Sequence, residues 1–366
     1  MSVEYKGSAA GCKEDDASPS PTLRPNTSQD LSSAPRRRSN KCISNRSGSQ
    51  GDPLKDNPVR RKRSKQVEID PDTGLKVGEP LYNDDNEMSG RVVSPTLKQL
   101  VHNLFKSGGF ENLQGYQLEG HKCITSVDKR LEREAGGSLL YGEVLPEGVA
   151  RLLDDDHLSV RTAKVLYDFG MGTGKLCLQV FLEYPHLDQV VGIEISPSRY
   201  KIGAQALRRL AQRRGFALLA DNEHRCKVLQ LLGNRRRILE FRCGDAFATL
   251  AERSEHDPHV SFVGAADIIL LNTDFPESCH ASICELLFRM ALGARTASYG
   301  DLRKMYLAVQ QRQLRAGDSK AANRAFPMVH YPINDDSDRF RTTWSPKLGH
   351  HFFLFHRGPF LKKAKV

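Results

Sequence analysis

Three carboxylates and one glycine turn carry the chemistry open to this sequence. In Tyr167-Asp168-Phe169-Gly170-Met171-Gly172-Thr173-Gly174-Lys175 an acid stands two residues before a turn with glycine at every second position. Glu194 ends the apolar stretch 189–195, 24 residues after Gly170, and Asp245 follows a third apolar run in Cys243-Gly244-Asp245-Ala246-Phe247. Glycine lets the backbone approach a ligand closely and leaves N–H groups free where a helix begins. A nucleotide-hydrolysing loop needs GxxxxGK followed by Ser or Thr, to place a hydroxyl on magnesium. Here Phe169 stands five residues before Gly174, and Leu176 follows Lys175, so that chemistry is disfavoured. A dinucleotide fingerprint needs GxGxxG. Here the third glycine comes one residue early.

S-adenosylmethionine fits the pattern better. It has no phosphate, but it has an amino-acid end, a ribose and an adenine. An acid before the turn, Asp168, can meet the α-ammonium. An acid ending the second strand, Glu194, can accept both ribose hydroxyls, and Asp245 can take the adenine amino group. Carboxyl ends of successive parallel strands form the binding crevice of such sheets. The competing reading is that Glu194 and Asp245 only cap the helices that follow.

These residues need strands and helices to position them. Lys164–Phe169 reads as a first strand, Leu176–Leu182 as a helix, and Gln189–Ile195 as a second strand. Ser196-Pro197 opens a longer helix with Tyr200, Gly203, Ala204, Leu207 and Ala211 on its apolar side. Ile238–Arg242 and Asp267–Leu271 read as strands, followed by a helix around Ile283–Leu292 and a strand near Ala294–Ser298. Alternating strands and helices predict a parallel sheet covered on both faces. Residues 302–325 read as a polar helical surface insertion, and Phe340–Trp344 and His351–His356 as two closing strands around a Ser345–Gly349 turn. Upstream, Leu97, Leu100, Val101, Leu104 and Phe105 share one helical face after Ser94-Pro95, and a second amphipathic piece spans Val144–Leu153.

The 366 residues carry 54 Lys+Arg against 44 Asp+Glu. Most of the excess lies in residues 1–66, with 14 basic and 7 acidic side chains and one aromatic, Tyr5. Such a segment has too little to bury and is expected to be disordered. Its clusters Arg36–Arg38 and Arg60–Lys65 suit nuclear import or phosphate contacts. No apolar run approaches the ~20 residues of a membrane helix. Residues 1–20 lack the apolar core of a secretory signal. Eight scattered cysteines without a CxxC spacing predict free thiols in a reducing compartment. The adjacent His350 and His351 point to opposite faces of a strand, so no metal site is expected. The expected organisation is a tail over 1–66, a helical and loop subdomain over 67–153, and an α/β ligand-binding domain over 154–366.

Together with Leu140-Tyr141-Gly142-Glu143, Leu271-Asn272-Thr273-Asp274-Phe275 and Thr343-Trp344-Ser345-Pro346-Lys347, the glycine turn resembles the class I S-adenosylmethionine-dependent methyltransferases. Within them, residues 95–357 are similar to the catalytic domain of the disruptor-of-telomeric-silencing family. These are non-SET enzymes that methylate a lysine on the folded core of histone H3. The resemblance implies a Rossmann-like seven-stranded sheet, S-adenosylmethionine as cofactor, a nucleosome as partner and a nuclear location. It implies Tyr141 and Glu143 in a loop over the methionine end. Asp168, Gly170, Gly172, Gly174 and Lys175 would form the floor, with Lys175 where the family usually has Gln. Glu194 would hold the ribose, and Asp245 with Phe247 the adenine. Asn272 would lie beside the sulfonium, with Trp344 and Phe352 or Phe353, preferably Phe353, lining the lysine channel. Two departures are visible: Thr273 stands where the family commonly has a second Asn, and Phe where better-known members have Tyr. A methyltransferase of RNA or of another protein, or a silent member that binds cofactor or DNA only, keeps the same fold. The Trp-containing stretch and the Tyr141–Glu143 loop favour the histone enzyme.

Overall fold

A computed structural model describes residues 93–105, 119–135, 140–255, 257–318, 320, 324–331 and 339–358. The expected tail and its basic clusters lie outside the described residues. All described residues fall in one compact unit, Ser64–Val366.

Four helices come first: α1 (Pro95–Phe105), α2 (Glu119–Lys122), α3 (Ser126–Ala135) and α4 (Pro146–Leu152). Leu97, Leu100, Val101, Leu104 and Phe105 of α1 are all buried, as their spacing predicts. The sheet then begins with β1 (Val165–Phe169), α5 (Lys175–Glu183), β2 (Gln189–Glu194) and α6 (Pro197–Arg214). In α6 the Ser196 side chain caps the Arg199 N–H, Pro197 starts the helix and Gly215 ends it at φ +66°. A hairpin follows, β3 (Ala217–Asp221) and β4 (Arg225–Leu232), then β5 (Arg235–Cys243) and β6 (Ile268–Leu271). The chain continues through α7 (His280–Arg289), β7 (Arg295–Ser298), α8 (Leu302–Arg315) and β8 (Met328–His330). It closes with β9 (Arg339–Phe340), β10 (His350–His351) and β11 (Phe353–Arg357).

The sheet order is β3-β4-β5-β2-β1-β6-β7-β11-β8. β5, β2, β1, β6 and β7 are parallel, so their carboxyl ends share one edge. The chain runs from β1 to β2 on one side and later enters β6 on the other, which opens a crevice at that edge. The near-continuous apolar runs of β1 and β6 fit strands covered on both faces. One face packs against α1, α4, α5 and α6, through residues such as Leu100, Leu152, Leu178 and Leu207. The other packs against α7, through Ile283, Leu286 and Leu287.

The architecture is the expected mixed α/β sheet, with nine strands among the described residues where the resemblance implied seven. The hairpin β3–β4 extends one edge antiparallel to β5. Its period is hidden because Arg225 and Lys227 reach the fully buried Glu240 of β5 instead of solvent. The expected strand Phe340–Trp344 shrinks to β9, paired with β10 in a separate two-stranded sheet, and Trp344 lies in the turn between them.

Candidate active site

β1 delivers Asp168 and then the glycine turn to the crevice. Gly170, Gly172 and Gly174 have φ of +84°, +60° and +82°, a region that side chains disfavour. The N–H groups of Gly170 and Met171 donate to the Ile193 carbonyl at 2.8 and 3.0 Å, so the turn is tied to the end of β2. Glu194 braces it further, accepting from the Gly172 N–H at 2.8 Å and from the Ser196 N–H at 2.9 Å. Burial raises the Glu194 carboxyl above its ordinary value. Asp168 is also buried. Its Oδ2 receives the Cys177 thiol at 3.6 Å, while Oδ1 has no hydrogen-bond partner among the described residues. Burial pushes this carboxyl up to about 7, and the charge of Glu194 adds to the shift.

Residues 141–143 close over the turn. The Tyr141 hydroxyl donates to Glu143 Oε1 at 2.7 Å and accepts from the Thr173 N–H at 3.2 Å. The Arg199 guanidinium lies 4.6 Å from the centre of the Tyr141 ring. Burial, and then the charge of Glu143, push the phenol well above its usual range, so it stays a donor. Lys175 Nζ lies 3.0 Å from each Glu143 oxygen. The loop is fixed from behind as well. The Thr343 N–H donates to the Glu143 carbonyl at 2.9 Å, and the Glu143 N–H to Thr343 Oγ1 at 3.0 Å. A Cβ on Gly142 would stand 2.2 Å from Trp344 Cε3, and one on Gly172 would stand 2.4 Å from Tyr141 Cε2. The loop is thus held between the glycine turn and the indole.

The upstream helices are latched to the same place. Asp128 of α3 accepts the hydroxyls of Ser196 and Ser198 at 2.5 and 2.6 Å and the Thr125 N–H at 2.8 Å. Burial alone would raise this carboxyl. The hydroxyl donors overcome that and hold it well below the usual carboxylate range.

The crevice encloses about 450 Å³, the size of a site for a small organic ligand. At the methionine-end position implied for it, Asp168 lines the cavity with Gly170, Gly172, Lys175, Tyr141 and Glu143. Glu194, Asp245 and Phe247 line a second part. Asp245 caps the short helix that follows, Oδ1 accepting from the Phe247 N–H at 2.9 Å, so it both caps and faces the cavity. Phe247 packs edge-on against Phe169 and Phe275, giving an apolar wall. Asn272, just after β6, and Trp344 line the third part. Both amide atoms of Asn272 are buried without a hydrogen-bond partner among the described residues. Thr273 packs on the turn, and a Cβ on Gly170 would stand 2.9 Å from its methyl. The departure from a paired Asn therefore falls on a position that covers Gly170.

Two expected residues lie elsewhere. Gly174 caps α5 and meets the Phe241 ring, where an added Cβ would stand 2.7 Å from Cζ; it packs the helix on the sheet. Phe353 is not among the cavity-lining residues. It pairs with Ser298 and packs with Phe355 against the α7 face, while Phe352 turns into the opposite core. Tyr299, just after β7, lines the cavity beside Trp344. Sequence reasoning missed Tyr299, a single aromatic after a short strand. It also missed Arg199 and the wall role of Phe275. Among the described residues no group of three potential metal ligands comes together, and no helix is long and apolar enough to cross a membrane.

The family model of histone methylation protein DOT1 matches residues 121–331. No curated protein matches the chain. Among solved structures, a protein from Klebsiella pneumoniae described as an O-methyltransferase is similar at 13% identity and a TM-score of 0.36, over 73% of this chain and 92% of that one. A protein from Methanococcus maripaludis described as an S-adenosyl-L-methionine-dependent methyltransferase is similar at 13% identity and a TM-score of 0.32, over 59% and 87% of the two chains. One from Pyrococcus horikoshii described as an RNA methyltransferase follows at 12% identity and a TM-score of 0.31, over 58% and 85%. At these TM-scores the fold rests on the chain's own sheet order.

Proposed function

The chain belongs to the DOT1 family of histone methylation proteins, and from that premise we propose that it methylates a lysine on the histone H3 core of the nucleosome. The observation that carries this reading is a pair of buried polar groups in one cavity that have no hydrogen-bond partner among the described residues, Asp168 Oδ1 and the Asn272 amide, at the ends of adjacent strands. The cofactor is S-adenosylmethionine, which supplies a methyl group already activated on a sulfonium.

The residues suit that cofactor. Asp168 Oδ1 is an acceptor for an α-ammonium, and Lys175, beside Glu143, offers a cation at the same end. Glu194 is an acceptor for ribose hydroxyls, and Asp245 with the Phe247 wall is suited to an adenine. Phe247 and Phe275 exclude water around the base. The substrate amine must arrive neutral, against an unperturbed pKa of about 10.4. An aromatic channel favours the neutral form by desolvation. Trp344 supplies such a wall, and the Asn272 carbonyl is an acceptor for the amine. The chain's task is then to align two reactants and keep water out.

The Asp168 carboxyl gives the reading a pH dependence. It is protonated in part near neutrality and must be ionised to hold an ammonium, which in turn lowers its pKa. Cofactor affinity is expected to rise about tenfold from pH 6 to pH 8, with a proton released on binding. Calorimetry in buffers of different ionisation enthalpy measures both, and Asp168→Asn is expected to flatten the profile. In the free protein the sign is the reverse. A carboxyl raised above its unfolded value costs stability as the pH climbs from about 4 through 7.

The coarser conclusion is a role in histone methylation. A nuclear location and an electrostatic hold on nucleosomal DNA by Arg36–Arg38 and Arg60–Lys65 extend it. The test is transfer of a labelled methyl to whole nucleosomes, free histone H3 tails and RNA, followed by mass spectrometry of the product. Labelling confined to a core lysine of nucleosomal H3 is expected. Labelling of RNA alone, or of tails as efficiently as nucleosomes, overturns the substrate assignment.

A further inference from the structure

The aromatic wall near Asn272 joins Trp344 to a residue that the sequence reading did not single out. β6 and β7 are parallel, with Leu271 beside Ser298, and the Tyr299 N–H donates to the Leu271 carbonyl at 2.9 Å. This register sets Tyr299 directly next to Asn272, at the end of the neighbouring strand. Its ring stacks on the His350 imidazole, with centroids 4.7 Å apart and planes 12° from parallel. Trp344 stands edge-on to both, 6.3 Å from Tyr299 and 5.5 Å from His350. Phe352 backs the imidazole edge-on at 5.3 Å. Tyr299 and Trp344 line the cavity, whereas His350 and Phe352 stand behind them. The Tyr299 hydroxyl makes no hydrogen bond among the described residues, so its donor and acceptor capacity is open to a ligand.

An aliphatic stem ending in an amine needs an apolar wall along its length and a hydrogen-bonding group at its tip. Trp344 and the Tyr299 ring provide the wall, and Asn272, at the neighbouring strand end, lines the same cavity. We propose that Tyr299, stacked on His350, is the substrate-channel residue that with Trp344 receives the lysine side chain, its hydroxyl accepting a hydrogen bond from the substrate amine. His350 is a positioning residue that holds the Tyr299 ring plane. This rests on the methyltransferase reading above and deepens it. It gives the residue that follows β7 a role that the sequence reading gave to Phe352 or Phe353. Because the hydroxyl occupies space and a hydrogen-bonding direction at the amine, it also bears on how many methyl groups the nitrogen can take.

The test is steady-state kinetics on nucleosomes at saturating labelled cofactor, with the product read by mass spectrometry and cofactor affinity measured separately. Tyr299→Ala is expected to raise KM for nucleosomes at least tenfold, with cofactor Kd within twofold of wild type. Tyr299→Phe keeps the ring stack, so KM stays within about threefold, while the ratio of mono-, di- and trimethylated product shifts. His350→Ala is expected to fall between wild type and Tyr299→Ala in KM, and His350→Phe to restore it. Should Tyr299→Phe match wild type in product ratio while Tyr299→Ala matches it in KM, Tyr299 is not in the channel. A wild-type protein that binds cofactor but labels no histone sinks the substrate reading instead, so the two failures are told apart before any variant is made.

Discussion

Replacing Gly172 with arginine is expected to abolish measurable cofactor uptake and methyl transfer in a chain that still folds. The residue has φ +60°, and the first side-chain atom would stand 2.4 Å from Tyr141 Cε2. Tyr141 cannot swing aside cheaply. Its hydroxyl is bonded to Glu143 and Thr173, and its ring faces the Arg199 guanidinium. The new side chain therefore either breaks that loop or fills the cavity under it. A loss of at least a thousandfold in affinity is expected, about 4 kcal/mol. Calorimetry measures it, and circular dichroism confirms that the variant is folded. Binding within tenfold of wild type would place the ligand elsewhere in the molecule.

The second large effect is at Asn272. A buried amide without partners costs a folded protein about 1–3 kcal/mol, so such a group persists where function uses it. Asn272→Ala is expected to lower kcat about a hundredfold by releasing the orientation of the amine. Cofactor Kd should stay within about threefold, and the melting temperature should hold or rise. A parallel fall in melting temperature and activity would make Asn272 a packing residue and would remove it from the reaction.

Much of the cofactor side was legible because it is built from local signals. The apolar runs of β1 and β2, the turn between β1 and α5, and Glu194 at the end of β2 follow one another along the chain, and strand polarity alone sends Asp168, Glu194 and Asp245 to one edge. The substrate side was not, because it depends on alternation and long-range pairing. In Phe352-Phe353 neighbouring side chains point to opposite faces, and a shift of one residue decides which of them meets a ligand. Tyr299 reaches the site only through its register with β6, which no spacing within β7 reveals. The hairpin β3–β4 escaped notice for a different reason. Its inward cations pair with Glu240, so their charge imitates an exposed loop. Within the glycine turn, the close contact of Gly174 with Phe241 was not legible, because it depends on how α5 packs on β5.

Ser196 ties three parts of the site together. It caps α6, gives its N–H to Glu194 and gives its hydroxyl to Asp128. Loosening α3 and loosening the Glu194 carboxylate are therefore coupled. By linkage, whatever a bound nucleoside gains from a well-seated Glu194 is returned as reluctance of residues 119–135 to open, in equal measure. A macromolecule pressing on that outer segment would for the same reason slow the escape of the nucleoside, and one that pried it loose would hasten turnover of the spent ligand.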